Sequence, residues 1–83
     1  FFLFLAAAKQ GKTEAQYILG DMYISGQGAQ RSYIKGYAWT SIAYKNGYDQ
    51  ADQNLQFLNK EMTASQLEKA VAETTRLRKS LYK

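Results

Sequence analysis

The side chains able to do chemistry in this chain are few, and what is missing matters as much as what is spaced. Its 83 residues include no histidine and no cysteine. That removes the commonest general base, the commonest metal ligands and any disulfide. The carboxylates before the C-terminal third are Glu14, Asp21, Asp49 and Asp52. None stands at a spacing that sets up an acid–base couple or a metal cluster, and each suits first-turn or surface solvation. Gly26-Gln27-Gly28 is the one glycine-rich loop. A phosphate cradle would need a strand before it and the lysine and hydroxyl residue of a P-loop, and both are lacking. The expectation is therefore no enzyme, no catalytic residue, no metal and no cofactor.

Cations and tyrosines offer binding chemistry instead. Formal net charge is +4, with Arg76, Arg78, Lys79 and Lys83 gathered near the C-terminus. An anionic surface or nucleic acid is one partner they could meet. In a helix, however, they fan over several faces and sit where the helix dipole favours cations. Binding of this kind is the alternative reading, and nucleic acid is not the expected partner. Tyr17, Tyr33, Tyr37, Tyr44 and Tyr48 are the candidates for contacting another protein or peptide, because several fall off the apolar stripes. Against that stands the plainer role of tyrosine in filling core and rim.

These residues need elements to hold them, and the pattern is helical throughout. Proline is absent, and an apolar content of 46% against 22% charged residues suits a single folded domain. A first helix is expected to about residue 10, ending at Gly11 with Lys9 in its last turn. Thr13 is read as N-cap of a second helix, from Glu14 to about Ser25, with Gln16 at the capping-box position. Ala15, Ile18, Leu19, Met22 and Tyr23 draw its apolar stripe. Gly20 lies beside that stripe, where glycine costs about 0.8–1 kcal/mol relative to alanine. A neighbouring helix crossing too closely for a side chain would explain it. After the Gly26–Gly28 turn, Ser32 caps a helix from Tyr33 to about Asn46. Its stripe is Ile34 or Tyr37 with Ala38, Trp39, Ile42 and Ala43, and Trp39 is a core residue. Tyr48 to about Asn59 forms another helix around Ala51, Leu55 and Leu58. Thr63 and Gln66 then make a capping box with Met62 and Leu67 as its hydrophobic staple. The last helix carries Leu67, Ala70, Val71, Thr74, Leu77 and Leu81 on one face.

The chain also repeats itself. Ala7-Ala8-Lys9-Gln10-Gly11 is echoed by Ala43-Tyr44-Lys45-Asn46-Gly47, and the pairs Ala7/Ala43, Gly11/Gly47, Ala15/Ala51 and Leu19/Leu55 all stand 36 positions apart. A fixed offset in the thirties is the signature of stacked helix pairs. Ala7, Ala8, Gly11, Ala15, Leu19, Gly20, Met22, Tyr23, Gly26 and Gly28, followed by Lys35, Trp39, Ala43 and Gly47, resemble the Sel1-like repeat, a relative of the tetratricopeptide repeat. Residues 13–47 cover one repeat in full. Residues 1–12 look like the second helix of a preceding repeat, 48–61 like the first helix of a degenerate one, and 62–83 like a capping helix. Ser32 stands where that family usually has aspartate, Gly36 and Tyr44 replace alanines, and Ala29 replaces valine. After Leu55 the pattern fades, with Gln56, Leu58 and Asn59 where glycine, methionine and tyrosine would fall. The resemblance implies an all-α, right-handed α-solenoid of antiparallel helix pairs, about two repeats with a C-terminal cap. It also implies a non-catalytic adaptor or scaffold for other proteins.

The opening run Phe1-Phe2-Leu3-Phe4-Leu5 is too short for a membrane span and has no basic segment before it. Read as the tail of a secretory signal it would end in small residues, as it does. The 36-residue echo favours the repeat reading. About two repeats is below the three that usually make a stable stack. The chain is accordingly expected to be part of a longer array, or to pair with itself through Phe1, Phe2 and Phe4. Partner identity and compartment are not legible.

Overall fold

The computed structural model describes residues 1–82 and is all-helical: α1 (Phe2–Lys9), α2 (Thr13–Ser25), α3 (Tyr33–Lys45), α4 (Ala51–Glu61) and α5 (Ala64–Leu81). Among the described residues there is no strand. Lys83 lies outside them.

The 36-residue echo reappears in the backbone hydrogen bonds. At the end of α1, Lys12 N donates to Ala7 O at 3.1 Å and Gly11 N to Ala8 O at 3.0 Å. At the end of α3, Tyr48 N donates to Ala43 O and Gly47 N to Tyr44 O, both at 3.0 Å. Each is the paired six-to-one and five-to-two closure of a Schellman motif, which needs a left-handed residue between helix and exit. Gly11 (φ 90°) and Gly47 (φ 98°) supply it. A Cβ at either would meet nothing within 4 Å, so conformation and not crowding selects glycine there.

Gly20 and Gly36 have the opposite reason. Both are buried inside helices, where α2 and α3 make the most extensive helix pairing among the described residues. A Cβ on Gly20 would stand 2.5 Å from Thr40 Oγ1, 3.1 Å from Thr40 N and 3.2 Å from Gly36 O. One on Gly36 would stand 2.7 Å from Ile24 Cγ1 and 3.2 Å from Gly20 O. The two glycines let the backbones touch, as the cost of Gly20 in a helix interior suggested.

Local signals elsewhere hold with two exceptions. Ser32 Oγ accepts from Lys35 N at 3.2 Å, and Thr63 and Gln66 form the reciprocal capping box. Met62 is buried in one cluster with Leu67, as a staple requires. Gly26 and Gly28 both take positive φ in the turn. Thr13, however, is not a cap. Lys12 is the N-cap of α2 with no side-chain bond, and Gln16 is fully buried instead of reaching back to the helix start. The Schellman exit draws Lys12 tightly against α1, which leaves Thr13 already inside α2. For the same reason α4 begins at Ala51 and not at Tyr48, whose N–H is held by Ala43.

Two apolar clusters flank α3. Ala8, Ala15, Leu19 and Trp39 form the first, covered by Phe1, Leu5, Tyr23, Leu77 and Leu81. Leu58, Met62 and Ala70 form the second, covered by Ile24, Ile34, Tyr37 and Leu67. Helix α5 therefore closes both, lying along α3 and not along its sequence neighbour α4. Its expected stripe is buried at Ala70 and half-buried at Leu67, Thr74, Leu77 and Leu81, but Val71 is 52% exposed. Helical phasing puts Val71 about 100° around the helix from fully buried Ala70, and so at the edge of the covered face.

The N-terminal aromatic surface also differs from expectation. Phe1 turns inward, edge-on to Tyr23 at 5.8 Å between centroids. Phe2 (80%) and Leu3 (87%) are the exposed members, with Phe4 at 38%. Helical phasing explains this, because residues 1, 5 and 8 share the face that α2 covers while 2, 3 and 6 point away. No helix among the described residues is long and apolar enough to cross a membrane.

Candidate functional site

Because α5 leaves α4 to lie over α3, a cleft of about 280 Å³ opens among the three. Two helical stripes face each other across it. Tyr37, Ser41, Tyr44 and Lys45 come from α3, and Val71, Thr74, Thr75 and Arg78 from α5. Both follow the three-and-four spacing that puts residues on one side of a helix. Leu55 of α4 closes the third side. The other faces of α3 are occupied, Gly36 and Thr40 against α2 and Trp39 against the first cluster.

Chemically the cleft is apolar along its length and cationic at one end. Thr74 Oγ1 donates to Ala70 O at 2.7 Å and Thr75 Oγ1 to Val71 O at 3.1 Å, which takes both hydroxyl protons out of play. Lys45 in the last turn of α3 and Arg78 in the last turn of α5 bring positive charge, and no carboxylate lines the cleft.

The five tyrosines of the sequence reading fall in three places. Tyr37, half-buried, and Tyr44, 45% exposed, line the cleft. Tyr17 and Tyr48 stack on each other at 4.7 Å, tying α2 to the α3–α4 connection. Tyr33 packs edge-on against Phe57, with the Arg31 guanidinium over its ring and donating to its hydroxyl at 2.6 Å. They do not form one tyrosine face. The basic helix is divided as well. Arg76 is engaged by Glu73, and that hydrogen bond holds the Glu73 carboxyl below the usual carboxylate range. Arg78 belongs to the cleft, Lys79 lies beside Tyr82, and Lys83 is outside the described residues.

Sequence reasoning passed over a polar clasp at the far end of α5. Gln16 is fully buried, and its Nε2 donates to Ala8 O and to Tyr82 Oη, both at 3.1 Å. Asn46 Nδ2 donates to Gln16 Oε1 at 3.0 Å and to Tyr82 Oη at 2.8 Å. The clasp joins the ends of α1 and α3 to the start of α2 and the end of α5. A glutamine beside Ala15 on the covered side of an apolar stripe was the only available signal. We expect Tyr82→Phe to cost about 1 kcal/mol and Gln16→Ala about 2 kcal/mol in urea unfolding, since the latter removes more bonds and leaves a hole. Equal stability of both variants and the parent would show that the clasp is idle.

Among the described residues no group of three or more His, Cys, Asp or Glu side chains is placed to hold a metal ion. Compared with models of known protein families and with curated proteins, the chain matches none.

Proposed function

We propose that this chain is a non-catalytic protein-interaction module of the Sel1-like type, its helix pairs belonging to a right-handed α-solenoid. Two observations support the repeat reading: the 36-residue echo in sequence, and the same Schellman bonds at both of its ends. The observation that carries the binding reading is the cleft over α3. It offers exposed apolar and aromatic side chains on rigid helices, the chemistry that groove recognition of a peptide uses. A photo-crosslinking amino acid at Val71, on the open cleft wall, tests it in cells. Discrete protein adducts are expected, and a surface position such as Gln53 should yield none of them. Absence of adducts, together with a small ligand that raises the melting temperature, would overturn the reading.

The exposed Phe2, Leu3 and Phe4 favour a second, compatible contact with another copy of this chain. Light scattering across a concentration series should then report a dimer. Phe2→Ser with Phe4→Ser should return the monomer mass. A parent that stays monomeric throughout rules the contact out.

A further inference from the structure

We propose that the cleft over α3 takes an acidic peptide segment, seating one apolar side chain between Tyr44 and Val71 and holding flanking carboxylates on Lys45 and Arg78. This rests on the protein-interaction reading and adds the chemistry of the partner.

Size sets the first limit. About 280 Å³ is at the lower edge of small-molecule pockets, enough for one large side chain and its backbone and too little for an extended cofactor. Lining sets the second, because the threonine hydroxyls are internally bonded and Val71 and Leu55 offer carbon. An apolar anchor is what such walls reward.

Charge then decides the flanks. Among the described residues the one ion pair is Arg76 with Glu73, so neither Lys45 nor Arg78 is held by a carboxylate. The C-terminal dipoles of α3 and α5 offset part of this, about half an elementary charge each. Two cations against about one unit of opposing dipole still leave the end of the cleft positive. Lys79, lining the adjoining depression with Arg78, adds to it. A carboxylate arriving there gains attraction, and a cationic segment meets repulsion that steers it away. A nucleic acid is the poorer fit. Backbone tracking needs a row of cations, whereas here they cluster at one end of a carbon-lined trough and Arg76 is already held.

The test is anisotropy of a fluorescein-labelled peptide with one central leucine between glutamates, titrated with the full chain. Saturable binding is expected, with amide shifts at Ser41, Tyr44, Val71 and Thr75. Alanine for the leucine should weaken it, and lysines for the glutamates should abolish it. Lys45→Glu with Arg78→Glu, both exposed side chains, should weaken the glutamate peptide about tenfold and admit the lysine peptide. A single cooperative melting transition with the parent's helical dichroism, lower by the few degrees that two acidic side chains at helix C-termini cost, shows that the pair of changes leaves the fold intact. Equal binding of glutamate and lysine peptides in the cleft would overturn the acidic preference and leave the protein-interaction reading standing. No peptide binding, joined with no crosslink from Val71, would overturn both. Tighter binding of oligothymidylate than of the glutamate peptide, falling steeply with salt, would replace the peptide with a polyanion.

Discussion

Replacing Gly20 with valine should lower the melting temperature by roughly 15 °C, corresponding to about 3 kcal/mol in a domain this small. The cause is the contact between two backbones. Thr40 Oγ1, at 2.5 Å from the new Cβ, can rotate away, but Thr40 N at 3.1 Å and Gly36 O at 3.2 Å cannot move without moving α3. Alanine at Gly20 sharpens the comparison. It gains about 1 kcal/mol of helix propensity and loses about 1–3 kcal/mol to overpacking, so a net loss of about 1 kcal/mol is expected. Combining it with Thr40→Ala should recover only the hydroxyl part of that loss. Calorimetry on the four proteins decides the matter. A Gly20→Val protein melting within a few degrees of the parent would mean that α2 and α3 do not cross as closely as described.

Trp39→Ala is expected to remove about 3–5 kcal/mol. Marginal stability at about 0.05–0.15 kcal/mol per residue puts the whole domain near 4–12 kcal/mol. The variant should therefore lose a large share of that margin, with a much lower urea midpoint than the parent's and partial unfolding at room temperature if the parent lies at the lower end of the range. Trp39 is 5% exposed and belongs to a cluster built with side chains from α1, α2 and α5, so its loss opens a cavity that no single helix can close. Trp39→Phe should keep most of the stability, since it keeps an aromatic ring in place. As the only tryptophan, Trp39 also reports its own burial through blue-shifted emission in the parent. A red-shifted emission from the folded parent would contradict its place in the core.

The two substitutions probe features of different legibility. Trp39 was readable as core from helical spacing alone, and the close crossing at Gly20 from the cost of glycine in a helix interior. The cleft was half legible. Its α5 wall, Val71, Thr74, Thr75 and Arg78, has the spacing of a single face, yet the sequence reading put Val71 and Thr74 on one stripe with Leu67, Ala70, Leu77 and Leu81. Which face of a helix becomes core depends on the neighbour it meets, and α5 packs on α3 with Ala70 inward, which leaves Val71 on the open side. The tyrosines were grouped by type, and packing sent them to three different sites.

What the sequence by itself determined is local. Helix content, the turn at Gly26–Gly28, the Ser32 cap, the Thr63–Gln66 box and the exits at Gly11 and Gly47 each rest on bonds spanning a few residues. Such bonds depend on residue type and spacing, which the chain states directly. Tertiary structure decided the rest. Gln16 became a buried hub and not a cap because Tyr82, 66 positions away, comes to rest beside it. The cleft exists because α5 leaves α4 for α3. Both follow from side chains far apart in sequence fitting together at one crossing angle, and no local pattern encodes that angle.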